Sequence, residues 1–366
     1  MTTRQKSTIE EVLKQFDGMK DVLDAFSLKT KSLIEASLQD VGIRYQSVQA
    51  RVKSRKKLQE KYLGPDKNYQ KLQDITDLAG LRVITYYEDD IDRAAEIVKR
   101  EFKIDSGNSV DKRVTDPDRF GYSALNFVCT HLEKRTTDVE YKKFAGITCE
   151  IQVTSILKHA WSEIEHEWYD LKESYPPEIK RDFYRLAAVF ELVDSKFVDL
   201  RKARAQYERS VTLRVEAMAP NVLIDAVSLK PYLEQEPLVA QLNMAIGIAF
   251  SATLDLTDPS DRALGITANL LKPVNLNTLE ELSTAIKKYM KAVPEYLRRC
   301  IRDGIWPAPA TRQRYNKSSS LNHLGIFMLC LQGVEALTSY YKSLGAEPQW
   351  DVARQVAIAK EVVTKF

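Results

Sequence analysis

Two short segments, far apart in the chain, read as strands, and each carries an acid. Residues 77–82 are Asp-Leu-Ala-Gly-Leu-Arg and run straight into Val83-Ile84-Thr85-Tyr86-Tyr87. Residues 149–154 are Cys-Glu-Ile-Gln-Val-Thr. Alternation along the second segment puts Glu150 and Gln152 on one face, with Cys149, Ile151 and Val153 on the other. Asp77 stands at the entrance to the first strand. Two carboxylates on adjacent strands, with a basic segment upstream, are what metal-assisted transfer from a nucleoside triphosphate requires.

The chain of 366 residues has room for two domains. Its hydrophobic share of 44% and charged share of 29% are those of a globular protein with a sizeable core. No run approaches the ~18 apolar residues that would span a bilayer. The first residues, MTTRQKSTIEEV, hold no apolar signal core, so a cytoplasmic location and no membrane partner are expected. Cys129, Cys149, Cys300 and Cys330 show no paired short spacing, which argues against a zinc site or a disulfide framework. Net charge is only +3, so the sum gives no argument for nucleic acid. The distribution says more. Arg51, Lys53, Arg55, Lys56, Lys57 and Lys61 fall in one short segment, and a looser basic region runs from Lys287 to Lys317.

Residues 8–63 read as helical, closed by Gly64-Pro65. A strand is expected over 80–87 and an amphipathic helix over 91–101. Further strands are expected near 102–105, 109–114, 123–131 and 147–154. The helix over 155–171 carries an apolar stripe of Leu157, Trp161, Ile164 and Trp168, with His159, Glu163, His166 and Asp170 opposite. A helix over 178–213 shows a seam of Phe183, Leu186, Phe190, Val193, Phe197 and Leu200. We read that seam as packing on its own domain rather than forming a dimer coiled coil. Pro220 opens a region whose helical patterns lie near 237–250, 278–303, 320–344 and 348–365, with no β-rich run. The expectation is an α+β domain over 1–216 and a separate, mostly helical domain over 217–366.

Four segments occur in order between residues 51 and 172: RVKSRKKLQEK, ITDLAGLRVI, DPDRFGYSALNFV and CEIQVTSILKHAWSEIEHEWYDLK. This series resembles the synthetase domain of the RelA/SpoT family of alarmone synthetases. The resemblance implies a nucleotidyltransferase-like mixed sheet flanked by helices and a Mg2+ cofactor. It implies transfer of pyrophosphate from ATP to the 3′-hydroxyl of GTP or GDP, giving the alarmone (p)ppGpp and AMP. By position, Asp77 is a metal ligand, and Glu150 is the base or a second metal ligand. Arg51 and Lys53 fall to ATP. Lys57 and Lys61 extend a cationic helix face suited to triphosphate. Arg82 would stabilise the transferring phosphate. Tyr122 would stack on the acceptor base, with Gln152, Asn126, Glu163 and His166 lining the pocket; a zinc site at His159, Glu163 and His166 ranks well below this.

The chain departs from the family at several points. Lys57 stands where the family often has Ser, Asp118 follows Pro117, and Phe120 precedes Gly121. Asn126 takes the place of a His and Thr154 that of an Arg. Two alternatives therefore stay open: a toxin that pyrophosphorylates the 3′ end of tRNA, and a degenerate nucleotide sensor. No His-Asp dipeptide occurs and only ~50 residues precede the motifs, so a hydrolase domain is not expected. Residues 217–366 are a candidate site for a regulatory protein or ligand.

Overall fold

A computed structural model describes residues 7–65, 69–111, 124–169, 175–345 and 351–366. The chain forms two compact units, Met1–Lys202 and Ala203–Phe366.

The first unit opens with α1 (Ile9–Asp40). Thr8 caps it by accepting from the Glu11 amide, and the Glu11 carboxylate returns the bond to the Thr8 amide. The helix stops before Gly42, whose φ of +69° lets the chain turn back. There follow β1 (Tyr45–Val52), α2 (Arg55–Leu63), β2 (Ala79–Thr85), α3 (Asp89–Glu101), β3 (Phe102–Ile104), β4 (Val110–Asp111) and β5 (Leu125–His131). A short α4 (Glu133–Thr136), then β6 (Cys149–Ser155), α5 (Ile156–Tyr169) and α6 (Pro177–Glu216) complete the series. The boundary between the units falls inside α6.

This corrects one expectation. Residues 8–63 are not one helical stretch, because β1 lies within them. Its side chains, Tyr-Gln-Ser-Val-Gln-Ala-Arg-Val, bury only Val48 deeply. One face is polar, with Ser47, Gln49 and Arg51, and the other offers only the short alternation Val48, Ala50 and Val52, the last two partly buried against the core.

The sheet runs β1-β2-β6-β5-β3, with β4 beside β5. β2 and β6 pair in parallel, while β1–β2, β5–β6 and β3–β5 are antiparallel, so the sheet is mixed as expected. One face is apolar. Val48, Leu81, Val83, Ile151, Val153 and Phe127 pack with Phe16, Phe26 and Ile34 of α1 and Ile91, Ile97 and Val98 of α3. Each of these is nearly or fully withdrawn from water, which is worth roughly 1.5–3 kcal/mol per large side chain.

The expected packing seam of α6 also needs correction. Phe183 and Phe190 do meet Trp161, at ring centroid distances of 4.6 and 5.6 Å. Leu186, Val193, Phe197 and Leu200 are exposed. The buried positions are Ala187, Asp194 and Val198, rotated by one residue from the expected stripe. Asp194 accepts a hydrogen bond from Ser155 at the end of β6, so a polar tie helps set the rotation.

The second unit contains α7 (Ala226–Gln235), α8 (Pro237–Phe250), β7 (Thr253–Thr257), α9 (Asp261–Leu271), α10 (Leu279–Tyr289), α11 (Ala292–Arg302), β8 (Arg312–Asn316), α12 (Ser319–Gln332), α13 (Val334–Ser343) and α14 (Val352–Val363). It is mostly helical, as read. Its two strands were not foreseen: β7 and β8 form a parallel pair, and of their residues only Tyr315 is buried. The unit's core includes Leu242, Leu282, Val293, Tyr296, Leu324 and Phe327. No helix among the described residues is long and apolar enough to cross a membrane.

Candidate active site

Strand register assembles the site. Gln49, Arg82, Gln152 and Asn126 stand abreast on β1, β2, β6 and β5. The adjacent row on the same face is Arg51, Gly80, Glu150 and Val128. A strand points alternate residues to one face, so this face is polar where the other is the core. Gly80 leaves a gap between Arg51 and Glu150. A Cβ there would stand 3.6 Å from the Arg51 Cγ and Nε, in ordinary contact. The result is a cleft of about 260 Å³ lined by Arg51, Asp77, Gly80, Arg82, Glu150, Gln152 and Glu163, among others.

Asp77 sits at one side, just before β2. Its Oδ2 accepts from Lys61 Nζ at 2.7 Å and pairs with Lys53 Nζ at 2.9 Å. Burial pushes the Asp77 carboxyl up, but the two ammonium groups outweigh it and hold the group below its usual range. Burial lowers Lys61 in turn, and its bond to Asp77 more than reverses this, so Lys61 stays firmly charged. The second oxygen, Oδ1, is buried without a hydrogen-bond partner among the described residues. A buried carboxylate oxygen with open lone pairs is costly unless something fills them.

Glu150 is held differently. Gln152 Nε2 donates to its Oε1 at 2.8 Å and Asn126 Nδ2 does so at 3.3 Å. Gln152 passes the polarity on, since its Oε1 accepts from Arg82 Nε at 3.2 Å. The amide can face only one way here, because a guanidinium only donates and a carboxylate only accepts. Arg82 Nη1 then donates to Glu163 Oε1 at 2.6 Å and meets His159 Nδ1 at 3.0 Å. The bond to Arg82 chiefly holds Glu163 below the usual carboxylate range.

The expected residues thus divide. Asp77, Lys53 and Lys61 converge, and so do Glu150, Gln152, Asn126, Arg82 and Glu163. Arg51 lies over the cleft floor. Lys53 precedes the Ser54 cap of α2 and is not helical, so the expected three-lysine helix face is replaced by two lysines meeting at one carboxylate. Lys57 is exposed and is not brought to Asp77. His166 is exposed on α5, one turn past Glu163. Thr154 is fully buried. Tyr122 lies outside the described residues. His159, expected on a polar face and as a weak zinc candidate, instead meets Arg82. Its i,i+4 spacing to Glu163 was the available signal, but its contact with Arg82 depends on how α5 returns onto β2.

No group of three or more His, Cys, Asp or Glu side chains that could hold a metal occurs among the described residues. That excludes a dedicated cage there, not a magnesium ion. Mg2+ usually keeps several waters and takes one or two carboxylates plus substrate phosphates. The open Oδ1 of Asp77 and the oriented carboxylate of Glu150 fit that donor set.

Residues 50–174 match the model of the region found in RelA/SpoT proteins. No curated protein matches the chain. Among solved structures, small alarmone synthetase 1 from Bacillus subtilis is 19% identical over 53% of this chain and 97% of its own, at a TM-score of 0.42. A GTP pyrophosphokinase family protein from Streptococcus pneumoniae is 22% identical over 57% of this chain and 97% of its own, at 0.43. A type VI effector in complex with its immunity protein is 18% identical over 50% of this chain and 97% of its own, at 0.33. The matched residues 50–174 hold the end of β1 and all of α2, β2, β5, β6 and α5, and the whole of the second unit lies beyond them.

Proposed function

We propose that the chain is an ATP-dependent pyrophosphokinase that transfers pyrophosphate to the 3′-hydroxyl of GTP or GDP, yielding (p)ppGpp and AMP. The observation that carries this reading is one cleft in which Asp77 and Glu150, two carboxylates of different character, stand beside four cationic groups, Arg51, Lys53, Lys61 and Arg82. Asp77 is salt-bridged and keeps an open oxygen; Glu150 is held by neutral amides. A magnesium ion held by these carboxylates would neutralise charge building on the phosphoryl oxygens.

The protein's own groups do the rest. Lys53 and Lys61 stand where the triphosphate would enter, and an arriving phosphate offers them a second anion. Arg51 supplies a planar fork beside them. Arg82, fixed on three sides, aims its remaining donors at the transferring group. Gln152 and Asn126 orient Glu150 through Oε1, leaving Oε2 to take the proton of the acceptor hydroxyl. Tyr122 provides the acceptor base with a stacking face, and His166 with Glu163 borders the same side. In this reading residues 1–216 are the catalytic domain, working in the cytoplasm. Residues 217–366 restrain or steer it through a regulatory protein or ligand.

Labelled ATP, Mg2+ and the protein, incubated with GTP, GDP or deacylated tRNA in turn, tests the proposal. AMP released in proportion to a 3′-pyrophosphorylated guanosine nucleotide is the expected result. Labelled tRNA without nucleotide product would replace the acceptor, and its formation would fall steeply with salt. No AMP with any acceptor would leave a nucleotide sensor.

A further inference from the structure

Arg82 is the most tightly held cation in the cleft. It contacts a group to which the proposed reaction gives no role, the imidazole of His159. Arginine carries five N–H donors and no acceptor, and it stays charged at any working pH. The 3.0 Å contact between Arg82 Nη1 and His159 Nδ1 can therefore be a hydrogen bond only if Nδ1 has no proton. That fixes the imidazole as neutral, with its hydrogen on Nε2. The other Nη1 hydrogen goes to Glu163 at 2.6 Å, and Nε goes to Gln152 at 3.2 Å. Three acceptors from β6 and α5 thus set the plane of the guanidinium. The Nη2 hydrogens meet no acceptor among the described residues.

We propose that His159 is a positioning residue for Arg82: as neutral imidazole it accepts from Nη1 and holds the guanidinium over the cleft, and as imidazolium it lets go. The proposal rests on the pyrophosphokinase reading for its kinetic consequence, but not for the contact itself. The charges facing His159 are Arg82 from β2 and Glu163 from its own helix, at 3.6 Å, while Gln152 of β6 is neutral. Burial lowers the imidazole below its ordinary value, Arg82 lowers it further, and Glu163 opposes them. At neutral pH His159 is then an acceptor. Below its titration point both Nη1 and Nδ1 carry hydrogens, and they repel.

The test compares wild type with His159→Ala and His159→Asn. The Asn Oδ1 can stand close to where Nδ1 does and does not titrate. His159→Ala should lower kcat about 10-fold, the worth of one charge-assisted hydrogen bond, with KM for ATP little changed. His159→Asn should recover most of that rate and lose the acid limb that wild type shows below pH 6.5. Equal kcat in wild type and His159→Ala would overturn the proposal, as would an unchanged acid limb in His159→Asn. A separate readout needs no turnover: nitrogen NMR of the wild-type imidazole should show the Nε2–H tautomer titrating below 6.5. An Nδ1–H tautomer, or a titration above 6.5, would overturn the contact even in an active enzyme. A protein that shows the expected tautomer but makes no AMP would instead overturn the pyrophosphokinase reading alone.

Discussion

Replacing Asp77 by Asn separates charge from shape at the centre of the cleft. The variant keeps one carbonyl oxygen but removes the anion that Lys53 and Lys61 share at 2.9 and 2.7 Å. Each of those bonds is charge-assisted and worth ~1.5–3 kcal/mol, whereas the neutral amide can offer one ammonium a bond of only ~0.5–1.5 kcal/mol. The lysines recover part of the loss by turning to water, since the Lys61 side chain is already 33% exposed. The net cost to stability comes to ~1–3 kcal/mol. In turnover the same change removes the proposed metal anchor, at a cost of ~10²-fold or more. The pH dependence carries a definite sign. Burial raises the Asp77 pKa, the two ammonium groups lower it more, and the folded value ends below the ordinary 3.8. The stabilisation is present in full above 3.8 and is lost as pH falls through the lower folded value. Urea denaturation of both proteins from pH 7 downward should therefore show a steady gap that closes only below about pH 3.8. AMP release with Mg2+ would be followed in parallel. A variant as active as wild type would refute the site assignment. A stability gap that never closes in acid would refute the ion pairs as its origin.

Glu150→Gln should reduce pyrophosphate transfer by ~10²-fold or more with little change in unfolding, because a carboxamide oxygen still accepts from Gln152 and Asn126; near-wild-type turnover would count against Glu150. Gln152→Glu would set a second carboxylate against Glu150 in place of a 2.8 Å hydrogen bond, so a pH–rate profile should gain a raised ionisation, and an unchanged profile would show that the two side chains are not coupled. Tyr122→Ala should lower kcat/KM for the acceptor at least several-fold, since a base stack is worth ~1–3 kcal/mol, while ATP affinity holds; the opposite pattern would move Tyr122 to the donor side. Gly325→Ala places a Cβ 2.7 Å from Leu270 Cγ, so thermal unfolding should show a loss of ~1–3 kcal/mol, and an unchanged midpoint would mean that α9 and α12 separate easily.

What the sequence alone determined was local. Alternation in Cys149–Thr154 is a property of extended backbone, so the polar face with Glu150 and Gln152 and the apolar face with Ile151 and Val153 followed without any partner strand. The order of motifs carried the family region, and the amphipathic period of α3 carried its helix. Segments whose burial is slight stayed hidden. β1, β7 and β8 are held by backbone pairing and bury few side chains, and the only apolar alternations they show are short, Val48-Ala50-Val52 in β1 and Leu254-Leu256 in β7. The apolar spacing of α6 likewise exists, but the helix turns a neighbouring stripe inward because Ala187 and Val198 pack there and Asp194 is tied to Ser155. Contacts within the cleft needed the tertiary structure most. Lys53 and Lys61 meet at Asp77 only because β1 pairs with β2 and α2 follows directly, and His159 reaches Arg82 only because α5 folds back from the end of β6. Spacing along a chain specifies which face a side chain takes. Which partner it finds across strands depends on register, and register is set by the whole buried face of the sheet.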